Sequence, residues 1–312
     1  MPQNSPFIAC FIGPRGLRAG WRAALFIVLT ALLAAAIYLL LFLLKVHAAG
    51  PRGVITPAMA LLNEGILLPA ALAAAWIMSR LENRRWLDYA APVHRRMGRN
   101  FLVGVLWGLA AMSALLGLMR WAGVYDFGSL AIHGSALWRY ALIWAAAFLL
   151  VSGFEEFSFR GYLLYTFATG IGFWPAAILS SLFFGAMHLG NRGEDILGAL
   201  SAGLAGLFFA FTVRRTGNLG WALGFHAAWD YAESYIYGVP DSGARSLGAL
   251  LAPHAQGSVW LTGGSVGPEG SLIVFFILGI LFLLFGRLYP QTLYPGLRPV
   301  SLTPQIESAG NA

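Results

Sequence analysis

Residues 154–160 read FEEFSFR and follow an apolar run, 140–151. Two carboxylates and a guanidinium therefore stand where the chain otherwise has the composition of a membrane span. Because an ionisable group in hydrocarbon costs at least ~2.5–3.5 kcal/mol, such groups usually face a bundle interior or a water-filled cavity. On a helix Glu156 and Arg160 share a face, whereas Glu155 is turned about 100° away. The spacing predicts that Arg160 neutralises Glu156 and that Glu155 points elsewhere.

The composition of the whole chain is that of an integral membrane protein. Of its 312 residues 58% are hydrophobic and 11% are charged, and the mean hydropathy is +0.70. The net charge is +7, but the basic residues cluster in loops between apolar runs. They therefore indicate topology and contact with anionic membrane lipid, and they do not indicate a nucleic-acid partner. The single cysteine, Cys10, excludes an internal disulfide and a thiolate metal cluster within one chain.

About eight apolar runs are interpreted as membrane spans, which predicts an all-α polytopic membrane helix bundle. The runs are 22–44, 56–79, 101–119, 138–167, 174–188, 196–213, one that starts near residue 219, and 271–285. The fourth run is long for one crossing, and a kink at Gly153 or a helix tilt would accommodate the excess.

The distribution of arginine predicts the topology. Loop 80–100 has six arginines against two acidic residues, so the positive-inside rule places it in the cytoplasm, and eight spans then place both termini there. We predict a cytoplasmic N-terminal segment (1–20), a single transmembrane domain (21–288) with a catalytic core at about 138–237, and a disordered cytoplasmic tail (289–312).

Two further polar clusters lie in apolar runs. Residues 184–188 read FGAMH and residues 226–230 read HAAWD. His226 and Asp230 lie on one helix face, where a carboxylate can orient an imidazole and fix its tautomer. A lone histidine in a packed helix is more often a core residue than a ligand. Carboxylates and histidines on separate spans instead favour water activation by a Glu base with two histidines, with or without a metal.

The three motifs, in this order, resemble those of the CPBP family of intramembrane proteases. That family includes the type II CAAX prenyl endopeptidases and bacterial proteins linked to bacteriocin processing and immunity. Its motifs E-E-x-x-x-R, F-x-x-x-H and H-x-x-x-N/D are present as Glu155-Glu156…Arg160, Phe184…His188 and His226…Asp230. The resemblance covers about residues 138–237. It implies an integral protein of the bacterial inner (plasma) membrane.

The resemblance also implies an intramembrane endopeptidase in which Glu155 activates the attacking water. His188 and His226 would position that water, stabilise the oxyanion, or join Glu155 in binding a divalent metal such as Zn²⁺. No other cofactor is expected. Glu156 and Arg160 would have a supporting role.

The last motif position departs from the prenyl proteases, which usually have Asn there. An ionised Asp230 cannot donate a hydrogen bond, so it would orient His226, ligate a metal or be protonated. The expected substrate is accordingly a peptide or protein, with lipid modification left open.

Two alternatives use the same residues differently. A proton- or ion-coupled transporter would use the carboxylates and histidines as a relay, although the sequence contains no inverted repeat of the kind that many transporters have. A non-catalytic membrane immunity or scaffold protein would keep them for packing. Glu64, in the second apolar run, is interpreted as structural.

Overall fold

The computed structural model of the protein describes residues 10–13, 16–51, 53–90 and 96–294. Its helices are α1 (Ala19–Leu43), α2 (Pro57–Leu81), α3 (Leu87–Ala90), α4 (Met97–Trp121), α5 (Ser135–Glu155), α6 (Leu164–Ile171), α7 (Phe173–His188), α8 (Ile196–Thr216), α9 (Gly220–Asp230), α10 (Val259–Thr262) and α11 (Leu272–Leu288). A π-helical segment, Glu156–Leu163, joins α5 to α6, and a second one, Tyr231–Ile236, extends α9. A 3₁₀ turn, Pro268–Gly270, precedes α11.

The predicted all-α polytopic membrane bundle is confirmed. Within the described residues, five helical stretches are long and apolar enough to cross a membrane: α1, α2, α4, α8 and the continuous stretch Ser135–Ile171. Helices α7 and α11 are shorter apolar helices. Together with α9 and its π-helical extension, they bring the helical stretches to the predicted number of about eight.

The helix boundaries follow from local chemistry. Thr56 begins α2, because its side chain accepts a hydrogen bond from the Met59 N–H at 3.2 Å and a proline occupies the first turn. Asp195 begins α8 by accepting from the N–H groups of Leu197 and Gly198. Gly217, with φ of 75°, ends α8 in the left-handed conformation.

The fourth predicted span departs from regular α-helical geometry, but not at Gly153. That residue lies within α5, and the irregularity is the π-helical segment that begins at Glu156. A π-helical turn inserts an extra residue into the helix and rotates the residues that follow it. The motif glutamates therefore lie at the point where the helix changes its winding.

Small residues let the helices that carry the motifs pack closely. A Cβ atom at Gly104 or Gly108 of α4 would collide with the backbone of Trp221 or Phe225 in α9. Between α7 and α8, a Cβ at Gly185 would lie 3.1 Å from the Cα of Gly203. Such contacts are typical of helix packing in membranes, where dispersion replaces the hydrophobic effect.

Short strands, all in two-stranded sheets, lie in the connections between helices. Within the described residues, the strands are β1 (Ile12–Gly13), β2 (Gly16–Leu17), β3 (Val54–Ile55), β4 (Tyr125–Leu130), β5 (Arg245–Ser246) and β6 (Leu251–Ala255). β1 pairs with β2 and β4 with β6, both antiparallel, whereas β3 and β5 are parallel. The α1–α2, α4–α5 and α9–α11 connections therefore meet at one end of the bundle.

A second set of contacts joins connections between helices at the other end of the bundle. Arg22, in the first turn of α1, forms a 2.6 Å ion pair with Glu82 after α2, and it also donates to Thr169 near the end of α6. The N–H groups of Leu293 and Tyr294 donate to the Arg214 carbonyl near the end of α8. Eight crossings of alternating direction would also put the start of α1, the connections after α2, α6 and α8, and residues 293–294 on one side of the membrane.

The predicted disordered tail covers residues 289–312. Its first part, 289–294, packs against the bundle through the Arg214 contacts and through the ring of Tyr294, which lies 5.1 Å from that of Phe173. Residues 295–312 lie outside the described part of the chain, as do residues 1–9 of the predicted N-terminal segment.

We expect reporter fusions placed after Ala312 and within loop 128–135 to report opposite sides of the membrane, with Ala312 cytoplasmic. An even number of spans returns the chain to its starting side, and the arginine-rich loops retain it there. A third fusion within loop 247–250 should match the 128–135 fusion, because β6 pairs with β4. Signals from the same side for Ala312 and 128–135 would contradict the topology.

Candidate active site

Glu156 and Arg160 form a buried ion pair, as their spacing predicts. Arg160 Nη1 donates to Glu156 Oε1 at 3.0 Å, and the two side chains are 2% and 0% exposed. The same Oε1 atom lies 2.8 Å from His226 Nδ1. Glu156 therefore holds an arginine on its own helix and a histidine on α9 at the same time, a contact that no spacing within one helix reveals.

Aromatic rings surround the guanidinium of Arg160. Its Cζ atom lies 4.0 Å from the ring centroid of Phe184 and 5.3 Å from that of Phe209. Such cation–π contacts favour a cation that water does not reach. Arg160 Nε also donates to the Gly206 carbonyl at 3.3 Å, and a Cβ at Gly206 would collide with the guanidinium. Phe184 therefore covers the arginine as well as packing in the core.

Glu155 is turned away from this pair, again as predicted. Its side chain is 24% exposed, and its Oε2 atom lies 3.6 Å from His226 Nε2. It faces a cavity of about 800 Å³. Of the two adjacent glutamates, Glu155 is the one that a substrate or water molecule can reach.

His226 is held at both ring nitrogens. Nδ1 faces Glu156, whereas Nε2 faces Glu155 at 3.6 Å and Asp230 at 3.4 Å. The ring also stacks on Phe209 with 5.4 Å between centroids. The sequence predicts that Asp230 orients this imidazole, but the structure adds Glu156 as the closer partner. With Nδ1–H donated to Glu156, the Nε2 atom is the one that faces the cavity.

His188 reaches the same cavity from α7. Its Nδ1 atom lies 2.9 Å from the Phe184 carbonyl, so Nδ1–H donates to the backbone and Nε2 is left for other partners. The Phe184 ring contacts the rings of both histidines, with centroids at 4.6 Å from His188 and 6.5 Å from His226. Counting along the helices places His188 near the outer end of its span, yet packing brings it to the cavity that Glu155, His226 and Asp230 also line.

The cavity wall also contains polar residues that the motifs do not indicate. Glu64 lines it, and Asn63 Nδ2 donates to Glu64 Oε1 at 2.7 Å. Asn63 Oδ1 in turn accepts a hydrogen bond from Tyr38. A carboxylate in an apolar run was the signal for this part of the site; the interpretation of Glu64 as structural did not include the cavity that it lines.

Glu155, His188 and His226 have the donor chemistry of a zinc site, but they do not fit one as placed. Among the described residues, one group of three His, Cys, Asp or Glu side chains has its donor atoms within 4.8 Å of one another, and that group lies elsewhere. The proposed mechanism therefore contains no metal-bound step, and the zinc site stays a prediction.

The protein is thus an all-α membrane bundle whose interior cavity gathers carboxylates and histidines. Residues 136–232 match the family model of the Rce1-like type II CAAX prenyl endopeptidases. This match supports the resemblance to the CPBP intramembrane proteases that the motifs indicate. No curated protein and no solved structure matches the chain significantly. The domain supports endopeptidase activity in the membrane.

We expect Arg160→Ala to destabilise the protein by ~3–5 kcal/mol, because it leaves the Glu156 carboxylate buried without its cation. The loss should appear as a lower Tm and lower expression of protein purified in detergent. Arg120→Ala is the matched control: Arg120 pairs with Asp126 at 3.0 Å with both side chains about half exposed, so the cost should be about 0–1 kcal/mol. Equal losses for the two variants would show that the Arg160 pair does not stabilise the fold.

Proposed function

We propose that the protein is an intramembrane endopeptidase that hydrolyses a peptide bond in or near the bilayer, with Glu155 as the base that activates water. One observation carries the proposal: the two adjacent glutamates are separated by environment. Glu156 is fully buried between Arg160 and His226, whereas Glu155 reaches the cavity. Enzymes give two identical carboxyl groups different roles by placing them in different surroundings.

In this mechanism a water molecule in the cavity lies between Glu155 and the carbonyl carbon of the substrate. Glu155 accepts one proton from the water while the water oxygen forms a bond to the carbonyl carbon. The carbonyl oxygen then becomes an oxyanion. The protonated Glu155 then gives the proton to the leaving amine as the C–N bond breaks. The products are a carboxylic acid and an amine, and Glu155 returns to its starting state.

The two histidines supply hydrogen bonds to the oxyanion. Each uses Nδ1 for a fixed partner, Glu156 for His226 and the Phe184 carbonyl for His188, and keeps Nε2 towards the cavity. A donor held in place before the reaction stabilises the developing charge without reorganisation. Because the Nδ1–H of each ring is already donated, Nε2 carries a proton to donate to the oxyanion only when the ring is the imidazolium cation.

Asp230 acts on His226 in this proposal. Its Oδ2 atom lies 3.4 Å from His226 Nε2, and an ionised carboxylate accepts hydrogen bonds but does not donate them. It therefore positions the imidazole and leaves stabilisation of the oxyanion to the histidines. Glu156 and Arg160 hold the same ring from its other side.

The proposed substrate is a membrane-associated peptide or protein. The cavity has an apolar wall that includes Trp144, Phe148 and Phe225 beside its carboxylates, which suits a chain with an apolar or lipid-modified segment. We place the protein in the bacterial inner membrane with both termini in the cytoplasm, in contact with anionic lipid through its arginine-rich loops. Nucleic acid has no part in the proposal.

We expect Glu155→Gln to leave the protein folded and to lower the cleavage rate by ~10²–10⁴-fold or more, because glutamine keeps the size of the side chain but removes the proton acceptor. Tm and cleavage rate are measured on the same purified variant. Asp126→Asn, which neutralises an exposed carboxylate, is the control and should keep both values.

An active Glu155→Gln variant would contradict the role of Glu155 and would favour a non-catalytic membrane protein that keeps these residues for packing. A variant that unfolds as readily as Arg160→Ala would show that the two glutamates do not have separate roles.

We expect the substrate to accumulate as an uncleaved precursor in membranes of cells that express Glu155→Ala in place of the wild type. Quantitative proteomics of the two membrane fractions identifies it, and mass spectrometry of the precursor shows whether a prenyl or other lipid group is attached. A membrane proteome that is the same with both proteins would contradict endopeptidase activity under the growth condition used.

A further inference from the structure

Three acidic residues from separate parts of the chain meet beside the cavity. Glu233 lies in the π-helical segment after α9, Asp241 in the loop that follows, and Glu269 in the 3₁₀ turn before α11. One carboxylate oxygen from each lies within 4.8 Å of the other two. Asp241 and Glu269 also line the cavity. No motif predicts this cluster, because only the fold brings the three segments together.

Glu233 is the residue that makes the cluster unusual. It is fully buried, and neither of its carboxylate oxygens has a hydrogen-bond partner among the described residues. The indole N–H of Trp229 lies beside the cluster, but its hydrogen bond, 2.8 Å long, is with Glu269 Oε1. A buried, ionised carboxylate without a partner is strongly unfavourable. One of its oxygens lies within 4.8 Å of an oxygen of Asp241 and of Glu269, so Glu233 faces two further carboxylates instead of a cation.

No ion pair balances this cluster: none of those formed by the described residues includes Glu233, Asp241 or Glu269. The neighbouring side chains that contact the cluster are neutral donors: Ser234 Oγ donates to Asp241 at 3.0 Å, and Ser242 Oγ donates to Glu269 at 3.1 Å. Burial, together with the nearby Glu269 carboxylate, raises the pKa of Asp241 to about 7.

We propose that Glu233, Asp241 and Glu269 bind a hard divalent cation, with Ca²⁺ as the best-suited ion. The donor set is all oxygen, without a thiolate or an imidazole, and such sets select Ca²⁺, Mg²⁺ or Mn²⁺ over Zn²⁺ or copper. Ca²⁺ accepts irregular coordination by several carboxylates, and serine hydroxyls and water complete its shell. The cation balances the buried Glu233 and joins the π-helical segment after α9, the following loop and the 3₁₀ turn before α11.

This site lies at the wall of the same cavity as the candidate active site, but it uses different residues. It includes none of Glu155, His188, His226 and Asp230, and cation binding does not depend on peptidase activity. The site lies at the base of the loop that carries β5 and β6. A bound cation would therefore fix that loop against the cavity wall.

The test uses the full-length protein, purified in detergent and freed of metals with EDTA. We expect Ca²⁺ to raise Tm saturably by a few degrees, because a ligand that binds only the folded state stabilises it. We also expect Tb³⁺, a luminescent Ca²⁺ analogue, to emit on excitation of tryptophan, since Trp229 hydrogen-bonds to a proposed ligand. Added Ca²⁺ should displace Tb³⁺, whereas Zn²⁺ should do so poorly.

Glu233→Gln should abolish both responses. Without cation, its Tm should equal or exceed that of the wild type, because the substitution removes a buried, unpaired charge. Asp241→Asn, at a partly exposed position, is a second variant that should weaken the responses if Glu233→Gln fails to fold. Asp126→Asn and Glu155→Gln are matched controls, and both should keep the full Ca²⁺ and Tb³⁺ responses.

Three outcomes would overturn the proposal. A wild type that responds to neither Ca²⁺ nor Mg²⁺ would mean that the cluster shares protons instead of binding a cation. Responses that persist in both Glu233→Gln and Asp241→Asn would place the ion elsewhere. Loss of the responses in Glu155→Gln would place it in the candidate active site. None of these results changes the test of Glu155 as the catalytic base.

Discussion

The ion pair between Glu156 and Arg160 is the constraint on which the rest of the site depends. A guanidinium sealed among apolar helices is unfavourable unless a carboxylate and further partners compensate for its lost hydration. Glu156 supplies the carboxylate, and the same oxygen also accepts from His226. The pair therefore fixes α9 relative to the helix that carries the glutamates, and it leaves Glu155 as the carboxylate exposed to the cavity.

The space around the Arg160 guanidinium determines which residues can pack against it. Phe184 and Phe209 cover its faces, and Gly206 leaves the volume that a Cβ atom would fill. Phe209 also stacks on His226, and Phe184 also contacts His188. The same two rings thus enclose the arginine and set the positions of both histidines. The packing around Arg160 and the positions of the two histidines therefore depend on the same rings. A substitution of Phe184 or Phe209 would alter both the packing and the geometry of the site.

The distribution of charge in the protein has two parts. The chain carries a net charge of +7, yet Glu64, Glu155, Asp230 and Glu269 all line one cavity. Arginines in loops interact with lipid and orient the protein in the membrane, whereas carboxylates in the interior are kept only where partners or chemistry offset their cost. An acidic cavity in a basic membrane protein is suited to a base that activates water and to a cation that balances the remaining charge.

The sequence by itself determined the helices, their approximate ends, and the contacts within one helix. Glu156 with Arg160 and His226 with Asp230 were predictable because the helical repeat fixes which residues share a face. Only the tertiary structure decided that His226 meets Glu156, 70 residues away, and that Glu233 lies in an acidic cluster. The π-helical segments also escaped prediction, since each breaks the repeat on which the sequence argument rests. Contacts between helices depend on how side chains of different volume pack together, and no single spacing in the chain encodes that.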